Sequence, residues 1–214
     1  MSRDTEQMHV WQGEFGREYT DRNTLSPRAL DALYEREFGV TRTAMNEEFL
    51  GSLDRGSRIL EVGSNVGNQL LCLQEMGFDL LYGIELQRYA VQQSKANTQD
   101  INIIEGSAFD VPFRDGFFDL VFTSGVLIHL SPDDIRIALR EIHRCSRRYI
   151  WGMEYFAEGY EEVRYRGHEG LLWKTDFARL YQQEFSDLKL VHQHVYPRVG
   201  SENRDTMFLL EKRD

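Results

Sequence analysis

The chain has 214 residues, with 35 acidic against 25 basic side chains, a formal net charge of -10 and a sequence pI near 5.1. That length allows one domain with a full core. The negative field disfavours non-specific attachment to nucleic acid or anionic lipid, so neither is expected as a partner. No apolar run approaches the ~20 residues a membrane span needs, and the opening MSRDTEQMHVWQGEF is too polar for a signal peptide. A cytoplasmic protein with no membrane association is the expectation. Cys72 and Cys145 are far apart in apolar helical patterns, with no CxxC or Cys/His cluster. They read as reduced core thiols, and no metal site is expected.

In chain order, Ser26-Pro27 has the form of an N-cap with proline at the first helical position, leading into RALDALYEREF. Thr41 caps a second helix, with Met45, Phe49 and Leu53 on one buried face. From Arg58 strands and helices alternate: RILEV, a helix around VGNQLLCLQEM, LLYGIE, a helix in LQRYAVQQSKAN, INIIE, then FFDLVFTS. A helix from Pro132 to about Cys145, capped by Ser131, and the strand RRYIWGMEYF complete the run. Such alternation calls for a parallel sheet with helices on both faces. After the irregular EGYEEVRYRGHEG come a helix near Lys174 to Phe185 and two strands, LKLVHQHVYP and TMFLLEK, suited to antiparallel pairing at the end of the sheet.

Ligands of open parallel sheets sit at the carboxyl ends of the strands. The loop Gly63 to Asn68 is placed there, but a dinucleotide fingerprint would need glycine where Asn65 and Asn68 stand. No GK[ST] follows, which excludes a phosphate-cradling Walker loop. What survives is Glu61-x-Gly63 and then Gly67, a turn suited to a ligand without phosphate. Glu85 ends the second strand about twenty residues beyond Gly63, where a carboxylate can accept from both ribose hydroxyls of an adenosine.

Together, Glu61-Val62-Gly63-Ser64-Asn65-Val66-Gly67, Glu85, the run Gly106-Ser107-Ala108-Phe109-Asp110-Val111-Pro112-Phe113 and Phe118-Asp119-Leu120-Val121 resemble the ordered motifs of class I S-adenosylmethionine-dependent methyltransferases. The resemblance implies a Rossmann-like sheet of seven strands, mostly parallel with an antiparallel last strand, helices on both faces, and S-adenosylmethionine as cofactor. Two departures stand out: Asn65 in place of the loop's usual middle glycine, and Ser107 where an acid often meets the adenine amine. Trp11-Gln12-Gly13-Glu14-Phe15-Gly16 with Tyr19, Arg22 and Asn23, Tyr165 to Gly170, and Lys174-Thr175-Asp176-Phe177 resemble methylases associated with pseudaminic acid biosynthesis.

Residues 1–56 are therefore expected to form a helical lid and 57–214 the cofactor-binding domain. The expected cofactor contacts are Glu61, Gly63, Ser64, Asn65, Gly67, Asn68, Glu85, Leu86, Ser107, Ala108, Ser124, Gly125 and Val126, with Arg22 on the methionine carboxylate. His129, after the fourth strand, is the candidate base, because its ordinary pKa suits proton transfer near neutrality; Tyr19 accompanies it. Glu154, Tyr155, Tyr165, Arg166, His168 and Lys174, with Arg164 nearby, are candidates for binding a small polar substrate, including an acidic or nucleotide-linked sugar. The acceptor group is an amine or a hydroxyl. The same pocket could instead cleave or cyclise S-adenosylmethionine, or merely bind it, since fold does not fix chemistry.

Overall fold

The computed structural model describes residues 3–213. Four helices come first: α1 (Glu6–Gln12), α2 (Glu14–Arg22), α3 (Pro27–Phe38) and α4 (Arg42–Leu50). Ser26 and Thr41 cap α3 and α4 as expected, their hydroxyls accepting from Ala29 N at 3.3 Å and Ala44 N at 3.1 Å. Asp31 ties the two helices together by accepting from the Thr43 amide and hydroxyl at 2.7 and 2.8 Å.

The alternating region follows as β1 (Ile59–Val62), α5 (Asn68–Glu75), β2 (Leu81–Glu85), α6 (Arg88–Asn97), β3 (Asn102–Glu105), β4 (Phe118–Ser124), a 3-10 turn (Leu127–His129), α7 (Ile135–Cys145) and β5 (Ser146–Tyr155). The last part contains a short hairpin, β6 (Glu161–Glu162) with β7 (Trp173–Lys174), then α8 (Phe177–Glu184), β8 (Leu188–Pro197) and β9 (Arg204–Lys212). The main sheet runs β3-β2-β1-β4-β5-β9-β8, parallel from β3 to β5, with β9 inserted antiparallel between β5 and β8. This is the Rossmann-like sheet with an antiparallel strand at its end. The strand order reverses between β1 and β4, and the loops after both open on the same crevice.

Both faces of the sheet are covered. One packs Val121, Ile150 and Phe208 against Leu139 and Ile142 of α7 and Phe177 and Tyr181 of α8; the other packs Phe122 and Leu209 with Met45, Phe49, Leu70 and Leu73. Burial of each such side chain contributes roughly 1.5–3 kcal/mol, which fixes the strand ends that hold the site. Cys72 and Cys145 are buried and unpaired. Among the described residues no helix is long and apolar enough to cross a membrane.

Three local expectations differ from the structure. Helix α7 starts at Ile135 rather than Pro132, because Ser131 donates to Asp134 at 2.9 Å and folds residues 131–134 into a turn. Helix α8 starts at Phe177, since Asp176 caps it by accepting from Arg179 N at 3.1 Å. Two further helices, α1 and α2, precede the two expected at the N-terminal end, broken at Gly13.

Candidate active site

Two adjoining clefts open at the carboxyl ends of β1 to β5. The first is walled by the Gly63–Asn68 loop, Glu85 and Leu86 after β2, Ser107 and Ala108 after β3, and Ser124, Gly125 and Val126 after β4. Helix α1 closes it from above with Met8 and Trp11. Gly63 has φ 75, and a Cβ there would lie 2.6 Å from Val126 Cγ2, so only glycine lets the two loops approach. Gly67 does not line the cleft. It has φ 86 and packs under Ile103 and Thr98, so its role is to cap α5 and seat that helix against the neighbouring elements.

Glu85 accepts from Asn65 N at 2.9 Å and Gln87 N at 2.8 Å. Burial pushes its carboxyl up, while these amides pull it down. Each oxygen keeps lone pairs for a ligand's hydroxyls. Five polar atoms on lining residues are buried without a partner among the described residues: Glu61 Oε2, Ser64 Oγ, Asn65 Oδ1, Gln69 Oε1 and Trp11 Nε1. Four are oxygens able to accept from an ammonium group, and leaving such atoms unpaired costs about 1–3 kcal/mol each. A ligand with an adenosine at the Glu85 end and a cationic amino acid near Glu61 and Gln69 would give those oxygens donors.

The two asparagines that replace glycines have a second use. Asn65 occupies the left-handed region at φ 47, which asparagine tolerates, and its amide donates to Thr20 at 3.2 Å. Asn68 donates to Asn23 O and accepts from Leu25 N at 3.3 Å. Gln87, unnoticed in the sequence, accepts from Thr20 at 3.0 Å and donates to Trp11 O at 2.8 Å. The loop and the strand that follows it thus hold α1 and α2 over the cleft.

His129 and Tyr19 line both clefts, at their junction. His129 Nδ1 lies 2.7 Å from Leu171 O. A carbonyl can only accept, so Nδ1 carries the proton and Nε2 is left with its lone pair. Burial lowers the imidazole pKa to about 4, which keeps the ring neutral at physiological pH. Trp11 and Tyr165 flank the ring at centroid distances of 4.5 and 5.4 Å. Burial also raises the Tyr19 phenol above its ordinary range, so it stays protonated.

Several expected contacts lie elsewhere. Arg22 projects from the exposed side of α2 and pairs with Glu18 at 3.4 Å; the first cleft has no lysine or arginine among its described lining residues. Glu154 is fully buried beneath the 3-10 turn, accepting from Val126 N at 3.2 Å and Ile128 N at 3.4 Å, so it positions the His129 segment rather than facing a substrate. Burial pushes its carboxyl up to about 7, against the pull of those amides. Arg164, Arg166 and His168 are exposed on a turn around Tyr165, and Lys174 binds Asn203; none lines either cleft. Tyr155 and Tyr165 do line the second cleft. Sequence patterns missed Tyr34, Glu37, Arg198 and Asp205 there, because they come from segments far apart with no shared motif.

Residues 60–149 match the family model described as a methyltransferase domain. An uncharacterised methyltransferase of Synechocystis is 27% identical over 93 residues, covering 44% of this chain and 43% of its own length. An O-methyltransferase of Aspergillus nomiae is 31% identical over 99 residues, with coverages of 44% and 43%. The chain thus spans less than half the length of these curated relatives. Among solved structures, the crystal structure of the Burkholderia thailandensis 1,6-didemethyltoxoflavin-N1-methyltransferase, with bound 1,6-didemethyltoxoflavin and S-adenosylhomocysteine, superposes with a TM-score of 0.73 at 16% identity, covering 100% of this chain and 94% of that one. Residues 60–149 are thus similar to a methyltransferase domain, the whole chain has the Rossmann-like methyltransferase fold, and the unpaired acceptors of its first cleft suit an adenosine bearing an amino acid.

Proposed function

We propose that the chain transfers the methyl group of S-adenosylmethionine to a nitrogen or oxygen of a small polar metabolite bound in the second cleft. The observation that carries this reading is His129, neutral and with Nδ1 anchored, where the two clefts meet. S-adenosylmethionine supplies, when bound, a methyl carbon activated for in-line displacement. Glu85 would hold the ribose, the oxygens of Glu61 and Gln69 the amino-acid end, and Ser107 and Ala108 the adenine side. His129 Nε2 takes the proton that the acceptor loses, which makes the acceptor's lone pair available. Trp11 and Tyr19 exclude water from that point, and of the segment expected as a lid α1 and α2 serve as one, while α3 and α4 pack into the core.

The overall negative charge supports a metabolite acceptor over nucleic acid. The resemblance to pseudaminic acid-associated methylases would imply an acidic or nucleotide-linked sugar, a class that the pairing of Arg198 with Asp205 and Glu37 in the second cleft argues against. Incubation with methyl-labelled S-adenosylmethionine and a small-molecule cell extract tests the reaction. The expected products are S-adenosylhomocysteine and a metabolite heavier by one methyl. Methylthioadenosine formed without any acceptor would contradict it.

A further inference from the structure

The second cleft carries information about what the acceptor is. Its walls include four tyrosines, Tyr19, Tyr34, Tyr155 and Tyr165, and a single described cation, Arg198. That cation is already committed. Arg198 makes a two-pronged contact with Asp205 at 2.9 and 3.0 Å and a third with Glu37 at 3.3 Å. Its guanidinium is also sandwiched by rings, 4.9 Å from the Phe38 centroid and 4.7 Å from that of Tyr155. A carboxylate or phosphate entering here would have to displace two carboxylates from Arg198 and would meet their charge in doing so.

Ligand cations fare no better. The tyrosine faces are partly spoken for, since Arg42 stands 5.2 Å from the Tyr34 centroid and Arg198 lies over Tyr155. Those contacts use the ring quadrupole that an ammonium ligand would need.

The hydroxyls supply the polarity. Arg42 is fully buried behind the wall, and its Nη1 donates to Tyr34 Oη at 3.0 Å and Met153 Sδ at 2.7 Å, with Ser124 Oγ a longer, shared acceptor at 3.5 Å. A guanidinium can only donate, so both oxygens receive from it and their own protons are free to point into the cleft. Both residues line that cleft. An aromatic-walled space with hydroxyl donors, whose one lining cation is already paired with two carboxylates, suits a flat uncharged ring that carries carbonyl or ring-nitrogen acceptors.

We propose that the Tyr19/Tyr34/Tyr155/Tyr165 cleft binds an uncharged, planar heterocyclic acceptor, with Arg42 as the positioning residue that turns the Tyr34 and Ser124 hydroxyls toward it. The inference rests on the reading of the first cleft as the S-adenosylmethionine site. It sets the acceptor apart from acidic and phosphorylated sugars. With the protein saturated in S-adenosylhomocysteine, saturation-transfer NMR compares uncharged hydroxy- and amino-pyrimidines and pteridines with UDP-N-acetylglucosamine and N-acetylneuraminic acid. The heterocycles should bind and the two anionic sugars should not. Tyr34→Phe should weaken heterocycle binding about fivefold or more while leaving S-adenosylhomocysteine affinity within twofold. Asp205→Asn, which releases Arg198, should give measurable binding of N-acetylneuraminic acid. Binding of the sugars by the unaltered protein, or of neither class, overturns the proposal; failure of S-adenosylhomocysteine to bind would instead overturn the reading on which it rests.

Discussion

At the scale of single residues, the proposed base His129 shows how local structure would set the chemistry. Its Nδ1 is held by Leu171 O and its pKa is lowered to about 4 by burial. A base must be neutral to accept, and a lowered pKa extends the neutral range downward. The acid limb of kcat/KM that His129 contributes is therefore expected below pH 5, and a limb assigned to this residue near 6.5 would show that the ring is solvated in the working enzyme. His129→Ala should lower turnover more than tenfold with little change in cofactor affinity; unchanged turnover removes it from the mechanism. At Gly63, a Cβ would lie 2.6 Å from Val126 Cγ2 in a left-handed backbone. Gly63→Ala is expected to cost roughly 1–2 kcal/mol in backbone conformation alone and to weaken cofactor binding more than tenfold by titration.

The two loop asparagines act at the scale of elements. As departures from a glycine pattern they pointed away from a pyrophosphate ligand, and in the structure they also bind α2 and the segment after it to the Gly63–Asn68 loop through Thr20, Asn23 and Leu25. Asn65→Gly combined with Asn68→Ala should raise amide hydrogen exchange in residues 6–22 and speed S-adenosylhomocysteine release several-fold, while exchange in β4 and β5 stays unchanged. Equal exchange in the helices would show that Gln87 and Trp11 hold them without the asparagines. The strands and central helices were legible because their apolar runs alternate at clear periods. Helix α7 was placed three residues early because Ser131-Pro132 has the composition of a cap, whereas the Ser131–Asp134 hydrogen bond uses that serine for a turn. The α1–α2 break at Gly13 and the two-residue strands β6 and β7 leave too little periodic pattern to read.

Across the whole molecule, the two clefts differ in how they are encoded. The first is assembled mostly from consecutive strand ends, so residues from Glu61 to Val126 could be found by their position after each strand. The second joins Tyr34 and Glu37 of α3 to Arg198 and Asp205 at the antiparallel end of the sheet, and only the folded topology brings those together. The cationic turn around Arg166 illustrates the opposite case. Its composition suggested anion binding, yet its charged side chains are exposed and line neither cleft, Arg166 instead lying over the outer part of the wall at Tyr165, 5.8 Å from that ring's centroid. Because the first cleft leaves buried acceptors unpaired, ligand binding should stabilise the fold. S-adenosylhomocysteine at a hundred times its Kd contributes about 2.7 kcal/mol, which for a chain of this size raises Tm by roughly 5–10 °C. No shift at that concentration would mean the unfolded chain binds equally well or the cleft does not bind.

The central claim is that Glu85 and the Gly63–Asn68 loop hold S-adenosylmethionine, and calorimetric titration with S-adenosylhomocysteine tests it most directly. The native protein should bind one equivalent, and Glu85→Ala, losing the ribose hydrogen bonds, should bind about 1–3 kcal/mol more weakly. Folded native protein that binds none, or a Glu85→Ala variant with undiminished affinity, would contradict the account.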